Sequence, residues 1–259
     1  MYARAHFNLG LKYQEKNMPV EAKAEYQKAL EIEPDYYEAL NNLSGIFFSE
    51  GDIENAKQLL GRAINANPKS SLAYMNLSKI YAREGKIDDA ITLMTRIVEI
   101  DDKNADTQYQ LGKLHFQKRD YASAWKYLKK AYSLNLELPE IRYYIGVTLL
   151  KEGFPDKAVE HLKTESERNG AGFYVFNALG IAYYRKGMKF EAIKNFRKAI
   201  SIKPDNPSTH LNLAIIFCEQ GDYEAAIEEY RKYIKYSPSS EKTEQVKNII
   251  KQLEEYKIQ

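Results

Sequence analysis

The 259-residue chain offers few side chains suited to a catalytic or metal centre. Its four histidines are His6, His115, His161 and His210, and its one cysteine is Cys218. A metal site needs several such ligands at one point, and the spacing of these residues indicates no convergence. The sequence contains no glycine-rich phosphate loop and no Gly-x-Ser-x-Gly nucleophile motif. We therefore expect no catalytic residue, no cofactor and no metal, and a protein that is not an enzyme.

Side chains that can bind a peptide main chain recur at an interval of 34 residues. An asparagine or glutamine amide offers both a hydrogen-bond donor and an acceptor, as the backbone of a bound peptide does. Five positions at this interval carry such an amide, and Tyr144 and Ala178 occupy the other two. The amide row consists of Asn8, Asn42, Asn76, Gln110 and Asn212. It predicts a series of contacts to the main chain of an extended peptide.

Cationic and aromatic residues overlap the amide row in the middle of the chain. The cations are Lys79, Arg83, Lys113, Lys151 and Arg185, and the aromatic residues are Tyr109, Phe116, Tyr143, Tyr144, Tyr174 and Tyr184. Only Asp106 and Glu140 oppose this charge on the same helix faces. The set favours an acidic peptide with aromatic or apolar anchors, through charge pairing and stacking. The alternative is an ordinary solvated helix surface, because mixed surfaces also produce such sets by chance.

These residues must be positioned by a repeated structural element. Alanine recurs at every 34th residue from Ala22 to Ala226, and leucine or isoleucine does so from Leu9 to Leu213. A small residue follows each member of the second series, beginning with Gly10. This period predicts seven repeats, which span 3–36, 37–70, 71–104, 105–138, 139–172, 173–206 and 207–240.

Each repeat is predicted to form two packed helices. In the first repeat Leu9, Gly10 and Tyr13 lie on one helix face, and the small residues allow close approach of the second helix. Glycine ends the first helix in five repeats, because it adopts the left-handed conformation without steric penalty. Asn17 and Arg119 take its place in the other two. No single pair has enough core, so stability is expected to come from stacked neighbours.

The stretch Leu9-Gly10-x-x-Tyr13, the alanines of the second helix and the closing prolines resemble the tetratricopeptide repeat family over residues 3–240. The resemblance implies an all-α, right-handed α-solenoid (superhelix) whose first helices line a concave groove. It also implies a non-catalytic scaffold or adaptor that binds an extended peptide or a partner helix in that groove. The amide row resembles the asparagine ladder in the repeat domain of O-linked N-acetylglucosamine transferase. Asparagine is also common at this place in the family generally, which is the structural alternative for the row.

The third to fifth repeats depart from the pattern. Asp102, Leu136 and Gly170 stand where proline closes other repeats, and Glu165 replaces an alanine of the second helix. A carboxylate at a packing position is costly unless it finds a partner or solvent. We expect a looser contact between the fifth and sixth repeats, which would act as a hinge. The alternative is a longer turn with Glu165 facing outward.

Residues 241–259 are predicted to form a capping helix over the last repeat. Ser239 or Ser240 would serve as its N-cap. Its apolar face consists of Val246, Ile249, Ile250, Leu253 and Tyr256.

Charge and hydropathy exclude further classes of function. The 38 basic and 36 acidic residues give a net charge of +2, which disfavours nucleic acid as a partner. The apolar runs are far shorter than the ~18–20 residues of a membrane-spanning helix. The single cysteine fits a cytoplasmic protein, and the abrupt start of the first repeat favours loss of an upstream signal or domain. Two other functions stay open: a substrate-recognition arm of a larger enzyme, and a scaffold that self-associates through its terminal helix.

Overall fold

The structure is a computed structural model that describes residues 2–168 and 170–258, with side chains up to Glu255. Within these residues the chain forms fifteen helices and no strand. The helices divide into two compact units, an N-terminal unit of residues 1–138 and a C-terminal unit of residues 139–259. Each unit is a stack of antiparallel helix pairs, which confirms the predicted all-α solenoid architecture. The boundaries of the seven repeats stay predictions.

The N-terminal unit contains four helix pairs. First and second helices alternate along this unit, and each helix packs on the next helix of the same unit. In order they are α1 (Ala3–Glu15), α2 (Pro19–Ile32), α3 (Tyr37–Ser49), α4 (Ile53–Ala66), α5 (Ser71–Arg83), α6 (Ile87–Ile100), α7 (Ala105–Lys118) and α8 (Tyr121–Leu134).

The C-terminal unit contains three pairs and a final helix. They are α9 (Ile141–Lys151), α10 (Pro155–Ser166), α11 (Phe173–Arg185), α12 (Lys189–Ile202), α13 (Pro207–Gln220), α14 (Tyr223–Tyr236) and α15 (Glu241–Ile258). Val246 and Ile250 of α15 are buried in a cluster that contains Tyr230 and Tyr233 of α14, so α15 covers the last pair. The side chain of Tyr256, which the sequence places on the same stripe, lies outside the described residues.

Small residues hold the two helices of each pair close together. The alanine series from Ala22 to Ala226 is completely buried. A Cβ added at Gly10 would lie 2.5 Å from the Tyr26 ring, and one at Gly146 would lie 2.5 Å from Leu162 Cγ. The predicted role of these columns in close packing is therefore confirmed.

Left-handed residues end the first helices, as the glycine series predicts. Asn17 has φ 57° and Arg119 has φ 66°, so both adopt the conformation that glycine adopts in the other repeats. The arginine does so although its Cβ makes this conformation unfavourable, because the short turn between helices requires it.

Two expectations about the irregular repeats need correction. Glu165 does not face outward, because only 7% of it is exposed, and Arg168 Nη1 lies 3.6 Å from its Oε2. The expected loose contact between the fifth and sixth repeats is also wrong, because α10 packs against α11. The division between the two units falls one repeat earlier, after Leu138. Oε2 of Glu165 is buried without a hydrogen-bond partner, so the ion pair with Arg168 offsets only part of the cost of burial.

Candidate peptide-binding faces

An amide network joins the first helices of the N-terminal unit. Asn76 on α5 donates from Nδ2 to Oδ1 of Asn41 on α3, at 2.9 Å. Asn41 donates to Oδ1 of Asn42 at 3.3 Å, and Asn42 donates to the Tyr26 hydroxyl at 3.4 Å. The Tyr26 hydroxyl donates to Gln14 Oε1 at 2.7 Å. Asn42 and Asn76 are half-buried and connect neighbouring helices, so they combine a structural role with partial access from solvent.

A cavity of about 470 Å³ opens beside this network. Its walls include Phe7, Tyr37, Glu38, Asn41, Asn42 and Leu72. Ligand pockets typically combine such apolar walls with a few polar groups that fix orientation. Oε2 of Glu38 is buried here without a hydrogen-bond partner, although the Glu38 carboxyl interacts with the Tyr37 hydroxyl and raises the pKa of that tyrosine.

The remaining amide-row residues have different surroundings. Asn8 on α1 is exposed, whereas Gln110 on α7 and Asn212 on α13 are half-buried. Leu211 stands beside Asn212 where Asn41 stands beside Asn42. The adjacent amides of α3 therefore have no counterpart on α13.

Two predicted cations of the N-terminal unit lie on the surface of α5. Lys79 is exposed, and so is Arg83. The Arg83 guanidinium carbon lies 4.5 Å from the centre of the Phe48 ring. This cation–π contact holds Arg83 against the preceding helix pair.

The predicted residues on α7 are more enclosed. Tyr109 is only 5% exposed, and Lys113 Nζ lies 5.1 Å from the centre of its ring. Phe116 is half-buried and meets Tyr121 edge-on, with 5.7 Å between ring centres. Tyr109 therefore makes a cation–π contact with Lys113, and its ring is too buried to stack on a ligand.

Three predicted tyrosines cluster in the C-terminal unit. The Tyr143 ring meets Tyr144 and Tyr174 edge-on, at 5.4 Å and 5.1 Å between centres. Burial raises the pKa of Tyr143 to about 12. The Tyr174 hydroxyl donates to Oε1 of Glu140 at 2.8 Å, and this hydrogen bond raises the pKa of Tyr174. Glu140, predicted to oppose the cations, is therefore engaged by a tyrosine.

Two other predicted residues of the C-terminal unit also make contacts within the protein. Tyr184 donates to Glu219, which raises the pKa of the tyrosine and lowers the pKa of the carboxyl. Arg185 donates to the backbone oxygen of Leu150, a carbonyl at the end of α9. This carbonyl also accepts a hydrogen bond from the backbone N–H of Gly153, so Arg185 adds a second donor at the C-terminus of the helix. Lys151 is exposed on the surface of α9.

Three histidines pair with carboxylates. His6 Nδ1 donates to Oε2 of Glu25 at 2.6 Å, and His210 makes the equivalent contact to Glu229. His115 Nδ1 donates to Oδ2 of Asp120 at 3.0 Å. In the part of the chain that the structure describes, no three His, Cys, Asp or Glu side chains are grouped so as to hold a metal ion.

The remaining two candidates for chemistry are enclosed. Burial lowers the pKa of His161 and raises the pKa of the Cys218 thiol. A raised thiol pKa disfavours the thiolate, which is the nucleophilic form.

Sequence reasoning missed two features of these faces. It did not single out Asn41, although the Asn41-Asn42 pair is the amide doublet in the row. The predicted cations all lie on first helices, whereas basic side chains also concentrate on the second helix α12. The run of lysine and arginine from 185 to 203 was the available signal.

The stacked helix pairs and the polar cavity on their first helices define a helical-repeat protein of the interaction type. Models of the tetratricopeptide repeat match residues 13–80, 47–114 and 191–250, and a second such model matches residues 173–206. These matches cover more than half of the chain, and the chain belongs to the tetratricopeptide repeat family. A model of subunit 3 of the anaphase-promoting complex, or cyclosome, matches residues 83–165.

Solved structures of repeat proteins share this fold. A tetratricopeptide repeat protein from Parabacteroides merdae is 18% identical, with a TM-score of 0.64, over 97% of this chain and 98% of that chain. YrrB, described as a repeat protein with an unusual peptide-binding site, is 23% identical, with a TM-score of 0.65, over 71% and 95%. The Cut9–Hcn1 hetero-tetramer of the anaphase-promoting complex gives 16% identity and a TM-score of 0.67 over 97% and 52%. No curated protein matches the chain.

The family assigns a general function. Tetratricopeptide repeats are protein-interaction modules and are typically not catalytic, so this chain is an interaction scaffold in that general sense. None of the helices among the described residues is both long enough and apolar enough to cross a membrane.

Proposed function

We propose that the first-helix face of the N-terminal unit binds an extended segment of a partner protein. The observation that carries this proposal is the 470 Å³ cavity with the amides of Asn41 and Asn42 in its wall. A main chain placed there meets groups that both donate and accept hydrogen bonds. Phe7 and Leu72 offer an apolar wall to one side chain of the ligand. The likeness to YrrB, whose description includes a peptide-binding site, supports the same kind of ligand.

Glu38 would favour a ligand side chain that can donate a hydrogen bond. A hydroxyl, amide or cationic group of the peptide would satisfy its buried, unpartnered Oε2. The acidic character predicted from Lys79, Arg83 and Lys113 stays a prediction for the rest of this face.

The C-terminal unit offers an aromatic binding surface of its own, which we propose separately from the cavity of the N-terminal unit. Tyr174 is 40% exposed and rests on Tyr143, so it can stack on an apolar or aromatic side chain. Lys151 and Asn212 lie on first helices of the same unit and complete the predicted set there.

The two other functions have less support. Self-association through the terminal helix would require α15 to leave its own unit, where Val246 and Ile250 are buried. A recognition arm of a larger enzyme would use the same amide face, so it remains a special case of peptide binding.

Substitution of Leu72 by glutamate tests the cavity. Leu72 is 53% exposed, so Leu72→Glu should leave the fold intact while it removes an apolar wall. Peptides are first selected from a displayed random library with the wild-type protein, and their Kd is then measured by fluorescence anisotropy. We expect binding to weaken about tenfold, the effect of losing burial of a medium-sized apolar group.

Val20→Glu is the matched control. Val20 lies on α2, is 74% exposed and does not line the cavity. Binding should be unchanged by this substitution. Equal affinity of wild type and Leu72→Glu for every selected peptide would reject the cavity as the binding site.

A further inference from the structure

The second helix α12 presents an apolar patch to solvent. Phe190 is 76% exposed, an unusual state for a large aromatic side chain in a folded domain. Ile193, Arg197 and Ser201 follow it at helical spacing, so these residues share one face of the helix. A surface cavity of about 390 Å³ lies along this face, lined by Phe190, Ile193, Lys194, Arg197, Lys198 and Ser201.

The segment around this patch is strongly basic. Residues 185–203 contain seven lysine or arginine residues and one acidic residue, Glu191. Lys186 and Lys189 are neutralised by Asp156 and Glu219, at 2.8 Å and 2.9 Å.

The cations that line the cavity lack such partners. Within the described residues no carboxylate lies within ion-pair distance of Lys194, Arg197 or Lys198. Lys198 Nζ lies 5.2 Å from the centre of the Phe176 ring, so it is held near the patch by a cation–π contact. The patch is therefore an apolar centre with three uncompensated positive charges beside it.

The groove between α2 and α4 of the N-terminal unit differs in charge. It has a volume of about 580 Å³, and its wall contains one acidic and one basic residue, Glu31 and Arg62. Arg62 Nη2 also donates to the backbone oxygen of Pro34 at 2.6 Å. This groove has no exposed aromatic residue in its wall, so it lacks the apolar centre of the α12 patch.

We propose that the solvent face of α12 binds an acidic segment of a partner protein. An apolar or aromatic side chain of that segment packs on Phe190 and Ile193, and its carboxylates pair with Lys194, Arg197 and Lys198. This surface is separate from the amide-lined cavity, so the inference goes beyond the proposed function and does not depend on it.

Charge complementarity selects an acidic protein segment over other anionic partners. A helix that binds membranes uses a wide apolar face, whereas α12 exposes a small apolar patch. Single-stranded nucleic acid binds rows of exposed aromatic side chains, whereas Phe190 is the exposed ring of this patch. A short acidic peptide with one apolar anchor fits both the size and the charge.

The experiment uses the full chain and three fluorescein-labelled peptides. The first is rich in glutamate and aspartate around a Phe-Leu pair, the second has serine in place of this pair, and the third has lysine in place of the acidic residues. Anisotropy at physiological salt should show binding of the first, about tenfold weaker binding of the second, and none of the third. Oligouridylate and phosphatidylserine vesicles are measured in parallel.

Substitutions in α12 test whether the acidic peptide binds to this helix. Lys194→Glu/Arg197→Glu should weaken binding of the first peptide about tenfold or more, and Phe190→Ser about fivefold to tenfold. These side chains are exposed, and circular dichroism verifies the fold. The matched control is Lys126→Glu/Lys129→Glu on α8, the second helix two pairs earlier, which should change the affinity less than twofold. Leu72→Glu should also bind the acidic peptide normally.

Several results would overturn the proposal. It fails if the first peptide does not bind, or if the α8 control weakens binding as much as the α12 variant does. It also fails if oligouridylate or the vesicles bind more tightly than the peptide through the same residues. Loss of binding in Leu72→Glu would instead place the acidic peptide in the cavity of the proposed function.

Discussion

The N-terminal and C-terminal units are built from the same helix pair, yet they differ in the face that each leaves available for a ligand. In the N-terminal unit the first helices carry an amide network around an open cavity, and the second helices α2 and α4 are balanced in charge. In the C-terminal unit Tyr184 and Arg185 of a first helix are already bonded to Glu219 and Leu150. There the uncompensated groups lie on α12.

This difference shows which parts of a repeat are free to change. The alanine and glycine columns are constrained because the two helices of a pair meet there at close range. The remaining helix faces carry no such constraint, so one unit can place polar groups on first helices while the other places charge on a second helix. A common fold therefore does not predict a common binding surface.

Substitutions at the close contacts should have the largest effect and should affect both units alike. Gly10→Ala and Gly146→Ala would each place a Cβ about 2.5 Å from a packed side chain of the second helix. We expect each to lower the free energy of unfolding by about 1–3 kcal/mol, measured by urea denaturation followed by circular dichroism.

Gly45→Ala is the control for these two changes. Gly45 lies within α3, and an added Cβ would meet no atom within 4 Å. Alanine should therefore raise stability by about 0.5–1 kcal/mol, because glycine is unfavourable inside a helix. If Gly146→Ala were as stable as wild type, the two units would differ in the packing that we describe as shared.

Removal of an amide should distinguish the two units more sharply. Asn41 is 4% exposed, accepts a hydrogen bond from Asn76 and donates one to Asn42. Asn41→Ala should cost about 1–2 kcal/mol, because it leaves buried partners unsatisfied. Asn212→Ala on α13 should change stability by less than about 0.5 kcal/mol, as at an ordinary half-exposed position. Equal effects in thermal denaturation would mean that the hydrogen bonds of Asn41 contribute no more to stability than the amide of Asn212 does.

A smaller effect should appear at acid pH and should originate in the N-terminal unit. Hydrogen bonds from His6 and then from Lys28 lower the pKa of Glu25 below its ordinary value of 4.5. The ionised carboxylate therefore stabilises the folded state above pH 4.5, and this contribution is lost as the pH falls through the lowered pKa. We expect the thermal midpoint of wild type to fall by a few degrees more than that of Glu25→Gln between neutral pH and pH 3.

Glu228→Gln provides the comparison in the C-terminal unit. A hydrogen bond from Lys232 also lowers the pKa of Glu228, but that carboxylate is largely exposed, with 68% of its side chain accessible. Solvent screens such a pair, so its removal should leave the acid response nearly unchanged. Parallel pH curves for wild type and Glu25→Gln would show that Glu25 does not contribute to acid sensitivity.

The 34-residue period was enough to predict the helix pairs and the residues that bring them together. The columns led by Leu9, Gly10 and Ala22 predict which sides of two helices touch, because helical periodicity converts spacing into position on a face. The left-handed turn at Asn17 follows from the same register. In the leucine and isoleucine column from Leu9 to Leu213, the exposed member is Leu9, at 43%. Among the described helices, α1 packs mainly on α2, so Leu9 is not fully covered.

Which of the predicted binding residues can contact a ligand depends on how the helices pack in three dimensions. Asn76, Tyr109 and Arg185 share a predicted face with exposed residues, but packing turns the first into an interhelical link, buries the second and bonds the third to the end of α9. Glu165 is buried beside Arg168, an outcome that its spacing on the helix left open. Periodicity gives the position of a residue on its own helix. The exposure and hydrogen bonds of its side chain depend also on the side chains of the adjacent helices.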